Sequence, residues 1–291
     1  MLPLLICVYA HSESAFIDCS NRIIELGTKH SIMWCDSRIL SREQFFLQKP
    51  FQWMLFIDAD CFLDADILSY IDGYLIRRFS SIEKKTPLLI AGNYENVKES
   101  NYLQRTHNLI ANLWLKQFFI DESSDKAFLG GVFLVYHELN QDDLYMRKEI
   151  MFGRHIWGGE EQRLARVLQS PPFSFVINRD EKLKVGHLCS SQYLHFFRRA
   201  WIHGVNHVKY CCAESKFESK TRFVFSNNFF SRLYYFFTHI SSRDLWFVPG
   251  VVLHFSVQKA GGLFQKIHQL HSIKWINRSL SMKTQEVRQQ Q

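Results

Sequence analysis

The spacing of apolar residues along the first hundred positions predicts strands that alternate with helices. Short runs of apolar residues at 4–8, 31–35, 53–57 and 88–92 are typical of buried strands. Between them, apolar residues recur every three or four positions over 15–27 and 67–79, and a short helix is expected over 41–48. Such alternation is typical of a mostly parallel sheet flanked by helices. We therefore predict an α/β fold.

The pattern continues to about residue 188 with less regular elements. Apolar positions at helical spacing predict helices over 101–119, over part of 139–151 and over 162–168. Strands are expected over 128–135, where Gly130 and Gly131 interrupt the run, and as two separate segments over 173–177 and 185–188. These elements extend the same α/β domain.

The last hundred residues have a different pattern. Residues 194–208 are aromatic and basic, and 229–237 contain six aromatic residues in nine positions. From Leu263 onward, apolar residues recur every three or four positions with lysine and arginine between them, and no acid occurs between Asp244 and Glu286. This pattern indicates either a covering layer of helices or helices that lie in a membrane surface, and we favour the second. We predict a domain over 1–208 and a helical extension over 209–291.

Composition narrows the classes of partner and compartment. The chain has 291 residues, 47% of them hydrophobic, which excludes a disordered protein. The net charge of +7 predicts an anionic partner, and because no nucleic-acid motif accompanies it, we expect an anionic membrane surface or a phosphorylated substrate and no nucleic acid. The seven cysteines form no disulfide pattern, which favours the cytoplasm. Residues 4–8 are interpreted as a first strand, not a signal peptide.

Two carboxylates follow one of the predicted strands. Asp58 and Asp60 come directly after the apolar run 53–57, at the edge of the sheet where α/β proteins bind their ligands. Two acids at this spacing can both direct oxygen atoms toward one hard divalent cation. The alternative is a turn followed by a helix N-cap, where aspartate is also common.

A second group of polar residues lies near the start of a later helix. Glu160 and Glu161 follow Trp157-Gly158-Gly159 and open the predicted helix, and His187 comes after the next strand. The positive end of the helix dipole favours carboxylates at this position. The alternatives are acids that only stabilise the helix start, and a histidine that is only part of the core.

The D-x-D at 58–60, the W-G-G-E-E at 157–161 and His187, in this order, resemble inverting glycosyltransferases of the GT-A fold, family 2 and its relatives. The resemblance covers about residues 4–207. It implies a GT-A, Rossmann-like sheet. Together with the cysteines and the C-terminal pattern, it leads us to expect a cytoplasmic enzyme, peripheral at the inner face of the membrane, that makes envelope glycans. It also implies a nucleotide-sugar donor, first of all a UDP-sugar, a glycan or lipid-linked acceptor, and Mn²⁺ or Mg²⁺ as cofactor. The roles it implies are a catalytic base at Glu161, acceptor binding at Trp157, Glu160, Gly130 and Gly131, nucleotide binding at Tyr9, Glu13, Asp36 and Asp58, and metal binding at Asp58, Asp60 and His187.

The expected chemistry is direct displacement at the anomeric carbon. A cation at the aspartates stabilises the departing diphosphate, and a carboxylate takes the proton of the attacking hydroxyl. Two other functions stay open. A nucleotidyltransferase also binds nucleotide and metal on an α/β sheet, although it usually has a glycine-rich basic first loop that residues 9–13 lack. A catalytically silent, membrane-associated scaffold would keep only the fold.

Overall fold

A computed structural model describes most of the chain as seven strands and seven α-helices. The described residues are 4–37, 53–80, 86–119, 126–137, 160–171, 173–189, 192–214 and 229–289. The predicted helices over 41–48 and 139–151 and the segment with Trp157 lie outside them. The strands are β1 (Leu4–Ala10), β2 (Ser31–Asp36), β3 (Trp53–Asp58), β4 (Cys61–Phe62), β5 (Leu88–Glu95), β6 (Val132–Tyr136) and β7 (Val176–His187). The helices are α1 (Glu13–Glu25), α2 (Ala65–Ser80), α3 (Tyr102–Gln117), α4 (Glu160–Gln169), α5 (Tyr193–Glu214), α6 (Phe229–His239) and α7 (Val248–Gln289), with a 3₁₀ turn at Ser242–Phe247.

The seven described strands form one sheet in the order β2-β1-β3-β6-β5-β7-β4. Strands β1, β2, β3, β5 and β7 run in the same direction, and β6 and β4 run against them. The predicted fold class is therefore confirmed: the protein is α/β, with a mostly parallel sheet flanked by helices and a helical extension at its C-terminus.

Each face of the sheet is covered by its own apolar core. Alternate residues of β1 and β3, such as Ile6 and Leu55, pack with α1 and α2 on one face. The intervening residues, such as Cys7 and Phe56, pack with α4 and the end of α3 on the other. Because both faces are buried, these strands are apolar almost throughout, which is why their positions were predictable from the sequence.

Two strand predictions were wrong in their bounds. The two segments predicted over 173–177 and 185–188 are one strand, β7, because Arg179 and Lys184 pair with Ala91 and Asn93 of β5 and the charged residues between them form a bulge in that pairing. Among the described residues, β4 pairs with β7 only at Gly186 and His187, so the first half of β7 tolerates polar side chains as an edge does. Strand β6 begins at Val132, after both glycines.

The C-terminal extension packs against the sheet domain and on itself through glycines. A Cβ on Gly204 of α5 would overlap the carbonyl oxygen of Gln258 on α7, and one on Gly261 would lie 2.6 Å from the carbonyl oxygen of Trp201. The backbones of α5 and α7 are therefore in direct contact. Helix α7 also contacts α3, where the backbone N–H of Gly250 donates to the Tyr102 hydroxyl (3.0 Å).

Helix α5 continues through position 208, so the proposed division between 1–208 and 209–291 falls inside a helix and stays a prediction. In the described part of the chain, no helix is both long enough and apolar enough to cross a bilayer.

Replacing Gly204 with alanine should destabilise the protein, although alanine favours helices. The new methyl group has no room against Gln258 of α7, and overpacking of this kind costs about 1–3 kcal/mol or more. Gly73→Ala in α2 is the matched control, because its Cβ would meet only the Arg77 side chain, at 3.6 Å. The control should gain up to about 1 kcal/mol from helix propensity. Urea unfolding of both variants measures the difference, and equal stabilities would contradict the close approach.

Buried histidines between α5 and α7 should make the protein sensitive to acid. His254 is 4% exposed, and burial, with His203 and Arg199 facing it from α5, lowers its pKa to about 3. Burial, reinforced by Arg199, lowers the pKa of His203 to about 4. Below about pH 6.5, these histidines become protonated in the unfolded chain but stay neutral in the folded one. The free energy of unfolding should therefore fall as the pH drops from about 6.5 toward 4.

The test is the pH dependence of the free energy of unfolding. Each such histidine contributes a slope of up to about 1.4 kcal/mol per pH unit. His254→Gln should be less stable than the wild type at neutral pH but should show a shallower slope. His195→Gln, at an exposed position of the same helix pair, should keep the wild-type slope. The same slope in His254→Gln would refute this explanation.

Candidate functional site

Three residues predicted to bind nucleotide lie side by side at the carboxyl edge of the sheet. In the register of the parallel strands, Tyr9 pairs with Asp58 on β3, and its neighbour Ala10 pairs with Asp36 on β2. Glu13 opens α1 directly after β1, and its side chain is exposed. The sheet therefore brings Tyr9, Asp36 and Asp58 to one place, although their role in binding stays a prediction.

The turn that carries Asp60 is held from several sides by hydrogen bonds. The Ala59 N–H donates to the Tyr9 carbonyl (3.0 Å), and the Leu188 N–H donates to the Asp60 carbonyl (3.1 Å). Arg22 of α1 donates from Nη2 to the Ala59 carbonyl (3.0 Å), and its guanidinium lies 4.2 Å from the centre of the Phe62 ring. The Asp60 carboxylate is thus presented from a fixed backbone.

His187, the last residue of β7, lies beside Asp60. Its Nε2 is 3.5 Å from Asp60 Oδ2, although the two residues are 127 positions apart. The imidazole is almost completely buried, whereas 45% of the Asp60 side chain is exposed. The Tyr94 ring stacks on the imidazole at 4.1 Å between centres. Two of the three predicted metal ligands therefore meet, with the carboxylate facing the open side.

Asn108 of α3 determines which imidazole nitrogen faces Asp60. Its Nδ2 donates to the His187 carbonyl (3.1 Å) and to Asn96 Oδ1 (3.1 Å), so its Oδ1 is the atom that faces His187 Nδ1, at 2.6 Å. An amide oxygen can only accept, and Nδ1 must therefore carry the proton. In the neutral ring, Nε2 then presents a lone pair toward the carboxylate of Asp60.

This arrangement fits a divalent cation. His187 Nε2 and the Asp60 carboxylate are both acceptors and face each other, and a cation bound by both would satisfy them. Their separation is suitable, because two ligands about 2.1 Å from one ion lie about 3 Å apart. Burial alone would raise the pKa of the Asp60 carboxyl. When no cation is bound and the imidazole carries a second proton on Nε2, His187 and then Arg199 outweigh the effect of burial and hold this pKa below its usual value. The nearby Cys61 thiol donates to the Gly131 carbonyl (3.3 Å), and burial raises its pKa well above the usual value. The carboxylate and imidazole are therefore the suitable ligands.

Among the described residues, two groups of potential ligand atoms converge within 4.8 Å, namely Asp60–Cys61–His187 and His107–His187–Cys189. Asp58 is in neither group, so its role as a ligand stays a prediction. In the second group, the Arg199 guanidinium lies 3.5 Å from His107 Nε2. Burial, followed by Arg199, lowers the pKa of His107 well below its usual value. The positive charge of Arg199 makes this side of His187 suited to an anion.

Gly131 connects the Asp58 turn to the stacked tyrosine. Its N–H donates to the Tyr94 hydroxyl (3.1 Å), and its carbonyl accepts from the Asp58 N–H (3.2 Å). A Cβ at this position would overlap Tyr94, so only glycine fits. Gly130 and Gly131 are both buried. Their predicted part in acceptor binding stays a prediction.

Glu160 and Glu161 are the first two residues of α4, as the sequence predicted. Helix α4 packs on the sheet through Leu164, Ala165 and Leu168, in the core that also contains Cys7 and Phe56. Glu161 is partly exposed. Trp157, the predicted acceptor-binding aromatic residue, lies outside the described residues, and the assignment of Glu161 as base stays a prediction.

A cavity of about 520 Å³ lies elsewhere, along the first half of β7. None of the predicted site residues lines it. Its polar side chains are engaged with protein partners: Arg179 donates to Asn93 Oδ1 (2.7 Å from Nη2), and the Tyr70 hydroxyl donates to Asp180. We therefore place the candidate site at Asp60 and His187.

Sequence reasoning missed the residues that position His187. Asn108, Tyr94 and His107 belong to elements whose apolar spacing was recognised, but their own contacts depend on how α3 lies over β5 and β7. Buried polar positions on α3, at Thr106 and Asn108, were the available signal, since polar residues on the inner face of a helix need partners.

Asn108→Ala should weaken cation binding by about 10–100-fold, because loss of a partner that orients a ligating histidine typically has that effect. Asn112→Ala, one turn further along α3, is the matched control. Its amide bonds the backbone of Tyr94 (2.9 and 2.7 Å) and does not touch His187. Mn²⁺ titration of nucleotide binding measures both variants. Equal affinities in Asn108→Ala and Asn112→Ala would contradict the positioning role.

Comparison with known proteins gives only distant similarity. No protein-family model and no curated protein matches the sequence. Among solved structures that match is glucosyl-3-phosphoglycerate synthase from Mycobacterium tuberculosis, solved with Mn²⁺, uridine diphosphate and phosphoglyceric acid, which is 9% identical over 72% of this chain and 78% of that one, with a TM-score of 0.38. Another is residues 1–349 of S. aureus TarS, which is 12% identical over 91% of this chain and 89% of that one, with a TM-score of 0.34. A third is a mycobacterial protein, which is 12% identical over 72% of this chain and 75% of that one, with a TM-score of 0.37. Similarity at this level does not assign a family or a function.

Proposed function

We propose that this chain is a metal-dependent, inverting glycosyltransferase of the GT-A type. It would transfer a sugar from a nucleoside diphosphate, first of all a UDP-sugar, to a hydroxyl of a glycan or a lipid-linked acceptor. The observation that carries the proposal is the 3.5 Å approach of Asp60 and His187 at the carboxyl edge of the parallel strands. Ligands of open α/β sheets bind at this edge.

Asp60 and His187 would hold the divalent cation, with Asp58 on the same turn as a further acid. When bound, a cation there supplies positive charge to the diphosphate that leaves the sugar. Oxygen ligands suit Mg²⁺ or Mn²⁺, and the imidazole favours Mn²⁺. Asn108 keeps the lone pair of His187 Nε2 directed toward this position, so the site is organised before the nucleotide arrives.

Arg199 adds a second positive charge beside the same site. Its guanidinium lies 3.5 Å from His107 Nε2, and it contributes to the lowered pKa of Asp60. A planar guanidinium binds phosphate oxygens well. Arg199 would therefore contact the diphosphate, while Tyr9 and Asp36 on the neighbouring strands would contact the nucleoside.

Glu161 would act as the base at the start of α4. It would accept the proton of the acceptor hydroxyl as that oxygen attacks the anomeric carbon from the face opposite the diphosphate. Such attack inverts the anomeric configuration and needs no nucleophile from the protein. A positioned base of this kind contributes about 10²–10⁴-fold to the rate.

The test is nucleotide release from UDP-, GDP- and dTDP-sugars with Mn²⁺, with and without a chelator. We expect release with one class of donor, loss of release on chelation, and a product of inverted anomeric configuration by NMR. Failure of every nucleotide to bind in a metal-dependent way would refute the proposal and favour a silent scaffold. In a parallel incubation with a nucleoside triphosphate and a sugar 1-phosphate, formation of a nucleotide-sugar with release of pyrophosphate would indicate a nucleotidyltransferase.

A further inference from the structure

The C-terminal helices present an apolar surface that the rest of the described chain does not cover. On α7, the exposed large apolar side chains lie at helical spacing on one side. They are Leu253 (47% exposed), Leu263 (56%), Phe264 (54%) and Ile267 (47%). The buried residues Val251, His254, Gly261 and Gly262 lie on the opposite side, against α5. The exposed apolar residues are therefore not the ones through which α7 packs against α5.

Helix α5 extends this surface. Leu194, Arg198 and Trp201 lie three and four positions apart on one side of α5, and Leu194 is 76% exposed. The Trp201 ring packs 5.5 Å from that of Phe264, which joins the two helices at this surface. We call Leu194, Trp201, Leu263, Phe264 and Ile267 the apolar face. A contiguous exposed face of this kind indicates a binding surface.

Charge indicates what this face binds. From Leu188 to the end, the chain has 14 Lys and Arg against 4 Asp and Glu, a net charge of +10. The whole chain is +7, so residues 1–187 carry −3. Exposed Lys259 and Lys266 lie on α7 along one flank of the apolar face, and Arg198 lies on α5 beside Trp201. Apolar and aromatic side chains flanked by cations without acids are typical of helices that lie in the surface of an anionic membrane.

We propose that the apolar face and its flanking cations bind the protein to an anionic lipid bilayer, with α7 and α5 lying in the plane of the headgroups. The apolar side chains would enter the boundary with the acyl chains, and Lys259, Lys266 and Arg198 would contact lipid phosphates. Arg199, on the other side of α5, points toward His107 and the candidate site. The candidate site would then lie across α5 from the membrane, and, on the proposed function, a lipid-linked acceptor would reach it around this helix.

The test is sedimentation of the full chain with vesicles of phosphatidylcholine alone or mixed with phosphatidylglycerol. We expect binding to the mixed vesicles, weakened by salt. The combined Leu263→Gln, Phe264→Gln and Ile267→Gln variant should bind at least about tenfold more weakly, because each side chain would lose its apolar burial. Ile24→Gln with Ile76→Gln is the control, since both isoleucines are exposed, at 59% and 61%, but lie on α1 and α2.

A second pair of variants tests the charges. Lys259→Gln with Lys266→Gln should lower vesicle affinity by about fivefold for each lysine, while Lys29→Gln with Lys98→Gln, at exposed positions of the sheet domain, should change it much less. All four positions are exposed, so folding should be unaffected, which thermal unfolding checks. No binding to anionic vesicles would overturn the proposal. So would a stable dimer that the apolar-face variant dissociates, because the face would then bind a second copy of the chain. Neither result depends on catalysis.

Discussion

The Asp60→Asn variant should lose cation-dependent nucleotide binding and transfer together. Asparagine keeps the shape of the side chain but removes the charge that faces His187 Nε2 across 3.5 Å. A site left with one neutral ligand would bind Mn²⁺ weakly, and the diphosphate would lose several kcal/mol of stabilisation as it leaves. We expect transfer to fall by about a thousandfold or more. Calorimetric titration of nucleotide with and without Mn²⁺ measures the binding part.

Asp64→Asn is the matched control for this prediction. Asp64 lies four residues further along, and its Oδ1 accepts from the Ile67 N–H (2.8 Å) at the start of α2. Asparagine caps a helix as well as aspartate does, so this variant should keep both stability and activity. Retained Mn²⁺-dependent binding in Asp60→Asn would show that this carboxylate is not a ligand.

The Glu161→Gln variant should separate binding from chemistry. Glutamine can still accept a hydrogen bond from the acceptor hydroxyl but cannot take its proton. Nucleotide affinity should therefore stay within about twofold of wild type, while transfer falls by about 10²–10⁴-fold.

Glu181→Gln serves as the control for Glu161→Gln. Glu181 is exposed on β7, where its carboxylate lies 3.2 Å from Arg179 Nη1, and it should tolerate the same change with full activity. A loss of donor binding in Glu161→Gln as large as its loss of transfer would contradict the role of base and indicate that the residue holds the nucleotide or the loop.

Much of the sheet could be predicted because its central strands are buried on both faces. The strands with Asp36 and Asp58 and the helix with Glu161 are where the apolar spacing placed them. The meeting of Asp60 and His187 was expected from the resemblance to GT-A glycosyltransferases, not from the apolar spacing.

The parts that could not be predicted depend on contacts between elements. Strand β7 was divided in two because five of the six residues from Arg179 to Lys184 are charged, and only the pairing of Arg179 and Lys184 with β5, on either side of a bulge, shows that the strand continues. The amide of Asn108, which orients His187, and the guanidinium of Arg199 reach the site from α3 and α5. The sequence does not show how these two helices are rotated about their axes or where they cross the sheet. The sequence alone does not show that Gly204 packs directly against α7.

The most direct test of the account is whether His187 and Asp60 hold one cation in the presence of nucleotide. Electron spin echo measurements on Mn²⁺ bound with a nucleoside diphosphate should show modulation from a coordinated imidazole nitrogen. That signal should vanish in His187→Gln and persist in His30→Gln, because His30 pairs with Asp72 of α2 (2.9 Å) and not with Asp60. Absence of nitrogen modulation in the wild-type complex, or its survival in His187→Gln, would contradict the proposed site.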